Sequence, residues 1–200
     1  MATGFGMKAV ISMMSMKFGS VNDIQTVTLS DWMKDHITHE DQTTKTSSSE
    51  PQLQDTSNSR SRRKLVILDC RPEEEYAVSH LEGAIRVDFD KEVNEIVKTL
   101  PEHLQPVERL VNTDIVCYCS IGYRSSTVAD KLQKYFRKNS GSLPSGPDFP
   151  TAVNLEGSLF QWANEGRPMV DSNGQPTSFA HPYNAMWGKL LNAELRKEKL

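Results

Sequence analysis

One feature constrains this chain more than any other: a β-branched run ending in a cysteine, a tight loop closed by an arginine, and a helix that starts at once. The run is Ile115-Val116-Cys117-Tyr118-Cys119, and the loop runs from Cys119 to Arg124 through Ser120, Ile121, Gly122 and Tyr123. Ser125 opens the helix, which carries Val128, Ala129, Leu132, Tyr135 and Phe136 on one face. A thiol at this point sits at a helix N-terminus, ringed by backbone N–H groups and beside a guanidinium, conditions that favour a thiolate and let it handle an anion. Gly122 supplies the backbone freedom the loop needs, and Arg124 offers planar donors to an anion bound at the sulfur. A free thiol titrates near ~8.5, and a downward shift of about 1.5 units needs roughly 2 kcal/mol. A helix terminus contributes ~0.3–1 kcal/mol, and the arginine and loop N–H groups can supply the rest, so no histidine base is required.

The rest of the chain alternates in the same way. Leu65-Val66-Ile67-Leu68-Asp69 is a continuous apolar run, as expected of a strand buried on both faces of a parallel sheet. Pro72 then opens a short helix with Glu73, Glu74 and Glu75 in its first turn, where acids suit the helix dipole. Gly83 to Val87 reads as a turn and a strand, Lys91–Leu100 and Pro106–Val111 as helical, and Ala152–Leu155 as a last strand before a helix over Gly157–Glu165. Upstream, Val27–Leu29 reads as a strand, with Ser30 capping a helix. The alternation predicts an α/β fold with a mainly parallel central sheet flanked by helices.

Composition sets limits. Hydrophobic residues make up 37% of the 200 positions, which leaves part of the chain outside the core. The polar stretch 38–64 lacks apolar residues except Leu53 and is expected to be a disordered insert. Residues 1–18 read as a Met-rich tail, either frayed or covering an edge of the domain. Residues 171–200 read as a partly helical extension that packs Tyr183 and Trp187 on the domain. A net charge of −3 does not suggest a nucleic-acid partner, and no apolar run approaches a membrane span. Three irregularly spaced cysteines point to a reducing compartment, hence the cytoplasm, with mitochondrial import as the second possibility.

Four motifs in order carry a family resemblance: Leu68-Asp69-Cys70-Arg71-Pro72 with Glu74, Glu75 and Tyr76; Ser79-His80-Leu81-Glu82-Gly83-Ala84; the loop Cys119–Arg124; and Val153-Asn154-Leu155-Glu156-Gly157 with Trp162. Residues 65–170 resemble a single rhodanese-like domain with its three-layer fold. The resemblance implies a sulfurtransferase in which Cys119 accepts a sulfane sulfur and carries it as a persulfide. It further implies an Asp69–Arg71 framework and a structural turn from His80 through Gly83. Where the family often has a second glycine after Gly157, this chain has Ser158.

The expected partners are a small sulfur donor such as thiosulfate and a cyanide, thiol or protein acceptor. No cofactor is expected, and Cys117 and Cys119 with no nearby histidine do not make a metal site. Cys70 ends the strand next to the active one and admits two readings: packing, or a resolving thiol for Cys119. Two rivals concern the whole chain. A phosphatase or arsenate reductase of the same fold class would carry a loop one residue longer than the six from Cys119 to Arg124. A non-enzymatic binding module would often lack the cysteine.

Overall fold

The structure, a computed structural model, describes residues 2–43 and 63–199. Five parallel strands form the central sheet in the order β1-β5-β4-β2-β3: β1 (Asp23–Ile24), β2 (Lys64–Asp69), β3 (Ile85–Arg86), β4 (Thr113–Tyr118) and β5 (Thr151–Leu155). The apolar runs read from the sequence form its middle. Strand β4 lies between β2 and β5, with Leu68 opposite Cys117 and Cys117 opposite Asn154.

Side-chain alternation along these strands builds two cores. Val66, Leu68, Ile115, Cys117 and Ala152 face one layer, made with Ile96 and Val97 of α4 (Val93–Thr99) and Val128, Leu132 and Phe136 of α5 (Tyr123–Lys138). Ile67, Val116, Tyr118, Val153 and Leu155 face the other. That second layer holds Met7, Val10 and Met14 of α1 (Ala2–Lys17), Leu29 of α2 (Thr26–Thr43), and Leu159, Phe160 and Trp162 of α6 (Ser158–Asn164). Helix, sheet and helix give the three-layer α/β fold. A six-residue helix, α3 (Glu73–Val78), follows β2. A short antiparallel pair, β6 (Met169–Val170) and β7 (Pro176–Thr177), closes around Asn173-Gly174.

Several expectations are corrected. Val27–Leu29 is not a strand but part of α2; Leu29, Trp32, Met33 and His36 recur at helical spacing, and the exposed Val27 lies off that face. The strand there is Asp23–Ile24, pairing the edge of β5. Both ends of the stretch 38–64, expected to be disordered, are ordered. Helix α2 continues to Thr43, Arg63 binds the Asp114 carboxylate and the carbonyls of Thr113, Pro147 and Phe149, and Lys64 begins β2. Residues 44–62 lie outside the described residues. The N-terminal tail is a 16-residue helix with three buried apolar side chains. Pro106–Val111 forms only a 3-10 turn over Val107–Leu110, and the helix expected within 187–197 is two 3-10 turns, Trp187–Leu190 and Ala193–Leu195. These still dock on the domain, with Leu191 fully buried and Asn164 Nδ2 donating to the Leu190 carbonyl at 2.7 Å. No helix among the described residues is long and apolar enough to cross a membrane.

At the end of β2 the Asp69–Arg71 pair is fully buried, with Arg71 donating from Nε and Nη2 to both carboxylate oxygens and from Nη2 to the Ser79 carbonyl. The guanidinium therefore ties β2 to the segment that follows α3. Asp69→Ala leaves that buried cation without its carboxylate and is expected to cost about 3–5 kcal/mol in urea denaturation. Asp69→Asn, which keeps an acceptor, is expected to cost less.

Candidate functional site

The loop after β4 carries Cys119 at the carboxyl end of the sheet, and Gly122 turns the chain into α5. Gly122 has φ of 110°, in the left-handed region that favours glycine. A Cβ there would fit in ordinary contact with Met14 Cγ at 3.5 Å and Asn154 Nδ2 at 3.7 Å, so the backbone conformation and not space is what favours glycine. The Gly122 N–H points inward and donates to Cys119 Sγ at 3.1 Å. The loop carbonyls point the other way. Cys119 O accepts the Leu159 N–H at 3.0 Å and Ser120 O accepts the Phe160 N–H at 3.1 Å, both from the first turn of α6. Helix α6 thus takes up the Cys119 and Ser120 carbonyls, while the Gly122 N–H faces the sulfur.

Burial alone would raise the Cys119 thiol. The Arg124 charge, the Ser125 hydroxyl and the N–H groups of Ser125 and Gly122 outweigh it, and hold the thiol below its ordinary value. Ser125 has one proton to give. Its Oγ lies 3.5 Å from the sulfur, 3.2 Å from the Gly122 carbonyl and 2.6 Å from Asn154 Oδ1, so these acceptors compete for it. Asn154 is itself fixed by donating to Asp23 Oδ1 at 2.7 Å, which links the sulfur's environment to the edge strand β1.

Arg124 is not a free anion hook. Its Nη1 and Nη2 donate to Glu75 Oε1 and Oε2 at 2.8 and 3.0 Å, and Nη2 also donates to Ser120 Oγ at 2.8 Å. Ser120 Oγ in turn donates to Glu75 Oε2 at 2.6 Å. Glu75 is 2% exposed. Burial opposes the charge on Arg124, but Glu75 and the Cys119 sulfur keep the guanidinium firmly protonated. Read from the sequence as one of three acids opening a helix, Glu75 proves to be the partner that holds the loop's two polar side chains. The available signal was its spacing: Glu75 and Val78, three apart, are the buried residues of α3.

The other residues singled out lie around this centre. Ile121 is buried and Tyr123 exposed at the mouth. His80 stacks on Tyr76 at 3.8 Å, its Nδ1 lies 3.1 Å from the Tyr76 carbonyl, and its backbone pairs with Val170. Gly83 takes a left-handed φ of 73° in the turn between Leu81 and Ala84. Cys70 donates its N–H to the Tyr118 carbonyl at 2.8 Å and shares a core with Cys117 and Cys119. All three cysteines are free. Burial pushes the Cys70 thiol well up, and its neighbours Cys117, Cys119 and Asp69 add to the rise. Among the described residues no group of three or more His, Cys, Asp or Glu is placed to hold a metal ion.

Ser158, the departure from the glycine expected there, adopts a left-handed φ of 52° directly after Gly157. Its hydroxyl accepts the Cys119 N–H at 3.2 Å. A side chain in that backbone conformation costs about 1–2 kcal/mol, offset here by satisfying a buried donor next to the sulfur. Ser158→Ala keeps the backbone cost and loses the acceptor, whereas Ser158→Gly loses the acceptor but relieves the backbone. Denaturant titration is expected to rank stability as wild type, then the glycine variant, then the alanine variant, the last two about 1 kcal/mol apart. A glycine variant less stable than the alanine one contradicts this account.

The lowered thiol also fixes a pH dependence. Alkylation of Cys119 by iodoacetamide is expected to rise with pH to an inflection below the ~8.5 of free cysteine, and Arg124→Ala is expected to move that inflection upward. Because the folded value is the lower one, the thiolate's contribution to stability is fully present above the unfolded value and is lost as pH falls through the folded one.

Comparison with known proteins places these features in a family. A family model described as Rhodanese-like domain matches residues 52–165. The tRNA uridine(34) hydroxylase of Staphylococcus epidermidis is 37% identical over 82 residues, covering 40% of this chain and 24% of that protein. The chain therefore spans about a quarter of the length of the curated relatives it matches. Among solved structures, the BH2092 protein of Bacillus halodurans is similar with a TM-score of 0.48 at 16% identity, over 80% of this chain and 82% of that one. Thiosulfate sulfurtransferase from Pseudomonas aeruginosa has a TM-score of 0.48 at 13% identity, over 84% of this chain and 23% of that one. A human single-domain sulfurtransferase has a TM-score of 0.42 at 15% identity, over 70% of this chain and 93% of that one. The matched family model covers more than half of the chain and contains the cysteine loop, Glu75 and the Asp69–Arg71 pair, and on that ground the chain belongs to the rhodanese-like domain family.

Proposed function

We propose that this chain is a sulfurtransferase that moves a sulfane sulfur from thiosulfate or a similar donor to a thiophilic acceptor through a persulfide on Cys119. The observation that carries this reading is the sulfur's setting. Cys119 Sγ accepts the Gly122 N–H at the N-terminus of a 16-residue helix, and the thiol is held below its ordinary value beside Arg124. The six-residue span from Cys119 to Arg124 suits a sulfur-sized ligand.

In the first half-reaction the Cys119 thiolate attacks the outer sulfur of thiosulfate. A new S–S bond forms, the donor's S–S bond breaks, and sulfite leaves with its electron pair. The terminal sulfur of the persulfide carries the negative charge, which inward-pointing N–H groups and the Arg124 guanidinium stabilise. In the second half-reaction cyanide or a thiolate attacks that outer sulfur, giving thiocyanate or an acceptor persulfide and returning the Cys119 thiolate. A protein thiol can take the acceptor's place. The two steps balance without an external oxidant or a base. Neither step calls on Cys70, whose buried thiol is pushed well up.

Thiosulfate treatment is expected to add ~32 Da, one sulfur atom, to the wild type by intact mass, and cyanide is expected to remove it with release of thiocyanate. Cys119→Ser is expected to show neither the adduct nor turnover. Turnover that survives this substitution ends the mechanism.

A further inference from the structure

The cavity above Cys119 is not walled by the loop alone. It encloses about 320 Å³ and ends on Cys119, Ser120 and Arg124. Its sides come from two segments outside the region matched by the family model: Met13, Met14 and Lys17 of α1, and Tyr183 and Trp187 of the C-terminal extension, with Tyr123 between them. These walls pack against one another. Gly6 of α1 lies so close to the Trp187–Leu190 turn that an added Cβ would meet Leu190 Cδ2 at 2.9 Å. Asn184 Oδ1 accepts the N–H groups of Met186 and Trp187 at 3.0 and 2.9 Å.

Tyr183 is the most telling wall residue. Its φ is 64°, a left-handed conformation that is a genuine outlier for a bulky side chain. The turn holds it there, with its N–H donating to His181 Nδ1 at 3.0 Å. The result is a ring placed over the Arg124 guanidinium, 4.8 Å from centroid to Cζ. The Lys17 ammonium, also in the lining, lies 4.5 Å from the centre of the Tyr123 ring.

The lining is thus two thioethers and three aromatic rings, with one ammonium at the rim and an arginine whose fork is already occupied by Glu75. A small, strongly hydrated dianion would lose water here and find little to replace it. An apolar body carrying a single negative charge would gain contact with the rings and keep the cation.

Building on the reading of Cys119 as a sulfur carrier, we infer that this vestibule selects organic monoanionic sulfane donors, of the thiosulfonate type, over inorganic thiosulfate. The chemistry is the same displacement. The thiolate attacks the sulfane sulfur of R–SO2–S⁻, the donor S–S bond breaks, and the sulfinate R–SO2⁻ leaves with the electron pair. Tyr183, Trp187 and Lys17 act as specificity residues: the rings hold the R group and the ammonium pairs with the leaving sulfinate.

The test compares benzenethiosulfonate with thiosulfate, with cyanide as acceptor and intact mass as the readout of loading on Cys119. Tyr183→Gly is the cleanest variant, because glycine accepts the left-handed backbone while removing the ring; Trp187→Ala is the second. Each is expected to lower kcat/KM for benzenethiosulfonate about tenfold more than for thiosulfate, a differential of ~1.4 kcal/mol. Lys17→Met is expected to raise KM for benzenethiosulfonate. If both donors load Cys119 but Tyr183→Gly and Trp187→Ala leave their kcat/KM ratio unchanged, the selectivity is overturned while sulfur transfer stands. If neither donor loads Cys119, the sulfur-carrier reading falls and takes the selectivity with it.

Discussion

The buried pair between Glu75 and Arg124 is the interaction on which the site depends. It joins α3, which follows β2, to the far end of the loop that follows β4, and it draws in Ser120 from the middle of that loop. A buried ion pair gains little over an apolar substitute, because desolvating both charges offsets most of their attraction. What it supplies is position. With two parallel hydrogen bonds to one carboxylate, the guanidinium plane has one orientation, and the loop backbone must follow it. The inward-facing N–H groups at the sulfur are a consequence of that fixed outer rim, together with the α6 amides that engage the loop carbonyls from below.

Cys70 and Cys119 illustrate how local this control is. They end adjacent strands and share one core, yet their thiols are pushed in opposite directions. Burial raises both. Only Cys119 meets a guanidinium, a hydroxyl and helix N–H groups, whereas Cys70 meets other sulfurs and a carboxylate. The direction of each shift follows from which groups stand at the end of the strand, not from depth in the protein.

Much of this was legible in the sequence. The apolar runs at 65–69 and 152–155 became central strands, and the strand–loop–helix around Cys119 took the geometry its residue types suggest. The misreadings have physical causes. Val27 and Leu29 are strand-like in composition, but three residues are too few to separate a two-residue period from a helical one. Only Met33 and His36 further on reveal the helix. The Met-rich start lacked polar alternation, so its helix, buried at Met7, Val10 and Met14, did not stand out. Glu75 was hidden by Glu73 and Glu74, whose role at the helix start is conventional. Ser158 was visible as a departure, but its meaning needed the third dimension: a hydroxyl over the Cys119 amide cannot be inferred from its place after Gly157.

The close packing of Gly6 against the 187–190 turn has a consequence for how such a protein can change. The reacting sulfur and its rim lie within the family-matched stretch, while the outer wall is contributed by flanks on either side of it. Drift in those flanks can remodel the approach to Cys119 with no alteration of the loop that surrounds it. The same arrangement makes the wall a practical hazard. A purification tag, fusion partner or trimmed end that disturbs either flank would strip the outer wall from Cys119, so a preparation altered there presents the loop without the rings and thioethers that surround it.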